Sequence, residues 1–209
     1  MLCGVAMMRS VTRWSGEATG EQYAGRFDAL AATGADVHGE ATLCESLMTP
    51  DATVLDAGCG TGRVAIRLAE RGFTCVGVDV DPSMLDVARS RAPQLRWVET
   101  DLGALDLGET FDLVVAAGNV VPLVAQGTEA VTVARLAAHV GEGGVLVTGF
   151  GLDRAHLPSV AALVALDDYD SWCADAGLRL ERRLATWDGE PYSGGGYAVS
   201  IHQRMPPVG

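Results

Sequence analysis

Residues 54–62 read Val54-Leu55-Asp56-Ala57-Gly58-Cys59-Gly60-Thr61-Gly62, an apolar run with an acid near its end and then three glycines at alternate positions. No other stretch limits the fold as much. Four apolar or acidic residues make a short strand, and the alternate glycines turn it sharply, because a residue without a Cβ can cross into left-handed backbone and let a ligand come close. A helical pattern follows, so its free N–H groups and positive dipole end face the turn. Such a turn seats a carboxylate or phosphate, and the nearby acid can hold an amine.

From residue 53 onward the chain alternates strand and helix. The pattern predicts strands over 53–56, 74–79, 95–99, 111–116 and 144–150, and helices over 62–71, 82–91 and 128–140. A polar loop between the third and fourth strands has room for a short helical turn. The strands are near-continuous apolar runs without polar alternation, as when helices cover both faces of a parallel sheet. Ahead of them, residues 21–32 place Tyr23, Phe27 and Leu30 at helical spacing, with Gly34 as the stop. Residues 39–48 form a second helix, closed by Pro50. After a helix over 167–176, Leu178, Leu180, Leu184 and Thr186 alternate. A glycine-rich turn over 189–196 then leads to an alternating Tyr197, Val199 and Ile201. That end reads as an antiparallel pair.

The 209 residues suit one α/β domain with a full core. With 15 basic and 27 acidic residues, the net charge is −12. That field repels phosphate backbones, so nucleic acid is not an expected partner. No apolar run approaches the ~20 residues that span a bilayer, so no membrane is expected. Five scattered cysteines (Cys3, Cys44, Cys59, Cys75 and Cys173), with no C-x-x-C pair, argue for free thiols in a reducing cytoplasm. Neither these nor His38, His139, His156 and His202 cluster as metal ligands do. The first eight residues lack the basic start and cleavage site of a signal peptide, and Met1, Met7 or Met8 could begin the chain.

The segment 54–62 resembles the first signature motif of class I S-adenosylmethionine-dependent methyltransferases. Val76-Gly77-Val78-Asp79 resembles that family's second strand with its acidic end. Trp97-Val98-Glu99-Thr100-Asp101 resembles the third strand with its following aspartate, and Phe111-Asp112-Leu113-Val114-Val115 the fourth. The likeness covers roughly residues 50 to 150. It implies a Rossmann-like, doubly wound, seven-stranded and mostly parallel sheet with an antiparallel C-terminal strand. It also implies S-adenosylmethionine as cofactor and S-adenosylhomocysteine as product. One domain is expected throughout: an N-terminal helical cap over 1–50, a cofactor-binding core over 51–150, and a C-terminal helix and hairpin over 151–209.

The resemblance assigns roles residue by residue. Gly58, Cys59 and Gly60 would bring their backbone to the methionine end, and Asp56 would hold its amine, unless it only accepts turn N–H groups. Asp79 ends the second strand where Rossmann-like folds bind ribose hydroxyls, with Val80 beside it. Asp81-Pro82 makes a helix N-cap, which leaves Asp79 spare for a ligand. Asp101 would take the adenine amino group and Leu102 would offer its N–H, while Met84 either packs on the ring or fills the core. Ala117 and Asn119 follow the fourth strand, where Asn119 either touches a ligand or shapes the turn. Tyr23 and His38 in the cap either close over the sulfonium or are structural.

Three rival functions stand beside methyl transfer to a small molecule at N, O, C or S. A dinucleotide site needs a glycine where Arg63 stands, which disfavours a nicotinamide oxidoreductase. A methyltransferase for protein or RNA would usually bring a recognition domain or basic surface. A non-catalytic S-adenosylmethionine-binding protein would share the core. No catalytic base is legible, the oligomer reads as monomer or homodimer, and the acceptor is not encoded in any motif.

Overall fold

The computed structural model of the chain describes residues 12–14 and 18–205. The candidate start residues and Cys3 lie outside them. Helices α1 (Gly20–Ala32) and α2 (Gly39–Glu45) precede β1 (Thr53–Ala57). Next come α3 (Arg63–Glu70), β2 (Thr74–Asp79), α4 (Pro82–Arg91) and β3 (Arg96–Glu99). A 3₁₀ turn at Leu102–Ala104 leads to β4 (Phe111–Ala116), α5 (Val120–Leu123), α6 (Glu129–Ala138) and β5 (Val140–Gly151). The chain closes with α7 (Leu166–Asp175), β6 (Leu178–Leu184) and β7 (Tyr197–Arg204).

Seven strands make one sheet in the order β3-β2-β1-β4-β5-β7-β6. β1 to β5 pair in parallel, and β7 runs antiparallel between β5 and β6. This is the doubly wound α/β sheet expected from the sequence. The chain leaves β1 toward β2 on one side and reaches β4 on the other, so a crevice opens where their carboxyl ends diverge. Successive residues of each strand feed opposite cores. Leu55, Val76, Val114 and Leu146 pack with α6 and α7, whereas Val54, Cys75, Leu113 and Val147 pack with α2 and α3. Both faces are covered, which is why the strands carry no polar alternation.

Three local expectations differ. α1 docks on α4 through Gly20 and Ala24, because a Cβ at Gly20 would stand 2.1 Å from the Ser83 carbonyl oxygen. Its Tyr23 and Phe27 face turns toward the site, and Leu30 is exposed. The start of α1 is a capping box, Thr19 with Gln22, which the T-x-x-Q spacing signals. β6 does not keep one apolar face. A register shift between Leu180 and Arg182 inverts its parity, so Leu178 and Leu184 enter opposite cores and Leu180 faces solvent. β5 starts at Val140 rather than 144, through a bulge across from Phe111 and Leu113. No helix among the described residues is long and apolar enough to cross a membrane.

Candidate functional site

The three glycines after β1 all take positive φ: +73° at Gly58, +53° at Gly60 and +79° at Gly62. Two are also confined by neighbours. A Cβ on Gly58 would stand 2.6 Å from the Val120 side chain, and one on Gly62 would stand 2.4 Å from the Trp97 ring. Gly60 has open space instead, with Tyr23 Cε1 3.9 Å from the position of its missing Cβ. The turn therefore presses against α5 and β3 at its ends and leaves its middle bare.

That bare middle faces a cleft that is open to solvent at its mouth. The cleft gathers Gly58, Gly60, Asp79, Val80, Met84, Asp101, Leu102 and Ala117, all candidates from the sequence. Thr12, Trp14, Tyr23 and the run after β4 complete its wall. The sequence carries no motif for that run, because its apolar residues look like ordinary core.

Asp79 is not spare. Its Oδ2 accepts from Gly60 N at 2.7 Å and its Oδ1 from Asp81 N at 2.9 Å, so it ties the glycine turn to the end of β2. Burial raises its pKa against the pull of those two amides. Each oxygen keeps a further lone pair, so the carboxylate can still meet a ligand. Asp81 caps α4 as expected, taking Ser83 N at 2.9 Å, with Pro82 opening the helix. Its other oxygen takes the Trp14 indole N–H at 3.0 Å, which fixes Trp14 over the cleft.

Asp101 divides its carboxylate. Oδ1 caps the 3₁₀ turn through Gly103 N at 2.7 Å, while Oδ2 is buried with no hydrogen-bond partner among the described residues. A buried acceptor left bare is costly, so this oxygen fits an N–H donor brought by a ligand. Met84 and Leu102, both buried, line the same cleft.

Asp56, Cys59, Asn119 and His38 lie outside the wall. Asp56 sits behind the turn, accepting Ala65 N at 3.0 Å at the start of α3. Burial raises its carboxyl to about 7, partly offset by the Ala65 amide and by Arg63. Cys59 is buried behind the loop, and burial pushes its thiol upward. Asn119, in left-handed backbone, closes the turn after β4: its Oδ1 accepts Gly151 N at 2.7 Å. His38 stands at the N-cap of α2, and its Nδ1 is buried without a partner among the described residues. Among the described residues no group of three acidic, histidine or cysteine side chains is placed to hold a metal.

A family described as "Methyltransferase domain" matches residues 54–144. The fold superposes on the crystal structure of a TehB-like S-adenosylmethionine-dependent methyltransferase from Corynebacterium glutamicum, with a TM-score of 0.80 and 34% identity. The match covers 89% of this chain and 98% of that one. Over 73 residues the chain is 41% identical to magnesium-protoporphyrin O-methyltransferase of Rhodobacter capsulatus, covering 32% of each. Over 84 residues it is 40% identical to malonyl-[acyl-carrier protein] O-methyltransferase of Serratia marcescens, covering 40% of this chain and 32% of that protein. The chain thus spans about a third of the length of these curated relatives. With the strand order, the glycine turn and the two acids at the ends of β2 and β3 in place, this chain belongs to the class I S-adenosylmethionine-dependent methyltransferases.

Proposed function

We propose that the chain binds S-adenosylmethionine in the cleft and moves its methyl group to a small-molecule acceptor, releasing S-adenosylhomocysteine. The observation that carries this reading is the order of the groups along the sheet edge. Asp101 follows β3, Asp79 ends β2, Gly58 and Gly60 follow β1, and Ala117 follows β4, which are neighbouring strands in that order. Strands spaced by ~4.8 Å spread these groups over roughly 14 Å, the reach of an extended nucleoside joined to an amino acid. Asp101 Oδ2 suits the adenine amino group, with Met84 and Leu102 against the ring and Val80 beside it. Asp79 suits the ribose hydroxyls. The backbone at Gly58, Cys59 and Gly60 suits the carboxylate, with Asp56 acting on the amine from behind the turn. Asn119 supports the loop next to Ala117.

The bound cofactor supplies a methyl carbon already activated by its sulfonium. The chain's part is to fix that carbon, align the acceptor and keep water out, which can supply ~7–11 kcal/mol of the barrier. The relatives' names, one a porphyrin enzyme and one acting on a carrier-bound malonyl group, support an acceptor of modest size. The net charge of −12 favours an uncharged or cationic one. Calorimetry tests the reading: both adenosyl compounds should bind and NAD should not. Binding of NAD alone would overturn it.

A further inference from the structure

Tyr23 is the cap residue that reaches the middle of the glycine turn. Its ring edge stands 3.9 Å from the place of a Gly60 Cβ, and it lines the cleft. Its position is fixed from two sides. Trp14 meets it edge-on with centroids 6.2 Å apart, and Phe27 lies at 5.2 Å. Trp14 is anchored in turn by Asp81, and Phe27 by the Arg63 guanidinium 4.5 Å above its ring.

The charge around the ring matters as much as its place. Arg63 is the nearby cation, and Glu40 meets it with two hydrogen bonds at 2.8 and 2.5 Å, so its charge is already matched. Burial raises the phenol's pKa, with Glu40, Asp79 and Asp56 adding to the rise against the pull of Arg63, so the hydroxyl stays protonated and the ring neutral. A neutral aromatic wall in a net negative surround attracts a soft cation that does not need a hydrogen bond.

Given the cofactor reading above, on which this inference rests, the strand order places the centre of the ligand near Gly60, between the ribose acid of β2 and the loop after β4. That centre carries the sulfonium. We propose that the Tyr23 ring is the group that meets this sulfonium, and that it makes the site favour charged S-adenosylmethionine over neutral S-adenosylhomocysteine. Asp56 lies behind the turn, and the two oxygens of Asp79 already accept from Gly60 N and Asp81 N.

Calorimetry on three proteins tests it: wild type, Tyr23→Leu and Tyr23→Phe, each titrated with both adenosyl compounds. Tyr23→Leu should lower the affinity for S-adenosylmethionine by about fivefold to thirtyfold more than that for S-adenosylhomocysteine. Tyr23→Phe keeps the ring and should keep the wild-type ratio. An equal loss for both ligands in Tyr23→Leu, or an unchanged ratio, would overturn the proposal and assign Tyr23 to packing. A ratio that collapses in Tyr23→Phe as well would overturn it in favour of the hydroxyl. Failure of the wild type to bind S-adenosylhomocysteine would instead remove the cofactor reading itself, a separate and recognisable outcome.

Discussion

Arg63 at the first position of α3 holds Glu40 of α2 through both carboxylate oxygens, with each side chain only 18% exposed. The same guanidinium also donates to the Val37 carbonyl and covers the Phe27 ring. One residue of the cofactor-side helix therefore ties together both helices of the N-terminal cap. It stands where a dinucleotide turn would need glycine, and its presence there gives the helix start a different task.

Arg63→Met should loosen the cap while leaving the sheet intact. Removing a charge-assisted pair that is largely shielded from water costs about 2 kcal/mol. Amide exchange in α1 and α2 should accelerate, and exchange in β1 and β4 should stay slow. If exchange in α1 is unaltered, Arg63 does not hold the cap.

Asp79→Ala removes the acid proposed to hold the ribose and also releases Gly60 N and Asp81 N. Affinity for S-adenosylhomocysteine should fall by ~2–3 kcal/mol, and the unliganded protein should lose ~1–3 kcal/mol of stability. Titration calorimetry and urea melts read the two losses separately. Unchanged affinity would take Asp79 out of the ribose role.

The glycine turn and the acids at Asp79 and Asp101 are legible in sequence because backbone strain and strand ends are local properties. Asp81-Pro82 is legible for the same reason. The second use of Asp79 is not, since its bond to Gly60 N joins residues 19 apart through pairing of β1 with β2. Trp14 and the run after β4 escape notice because their place in the cleft depends on long-range docking. The parity change in β6 needs a bulge that no period-2 pattern announces.

Gly62→Ala and Gly60→Ala should differ although both positions have positive φ. Each pays about 1–2 kcal/mol for left-handed backbone. Gly62 adds a clash with the Trp97 ring, wedged also against Gly77, and overpacking of that kind costs about 1–3 kcal/mol more. Denaturant melts should therefore rank Gly62→Ala as the less stable variant. Equal losses would mean that the Trp97 ring yields easily.

Asp56→Asn should raise stability at alkaline pH and flatten its pH dependence. Burial raises the carboxyl to about 7 in the fold, against 3.8 as its ordinary value. Between those values the folded state binds the proton and the unfolded chain does not. Stability must then fall as pH rises through that window and level off above about 7. Asparagine keeps a carbonyl for Ala65 N but carries no charge to desolvate. Asp79, also raised, and His202, which burial lowers, titrate in both proteins, so the difference between variant and wild type reports Asp56 together with its repulsion of Asp79. Melting temperatures from pH 5 to 8 provide the check: the wild type should lose several degrees more than Asp56→Asn over that range. Parallel curves would show that Asp56 is ionised throughout, with its charge stabilised by Arg63 and the start of α3.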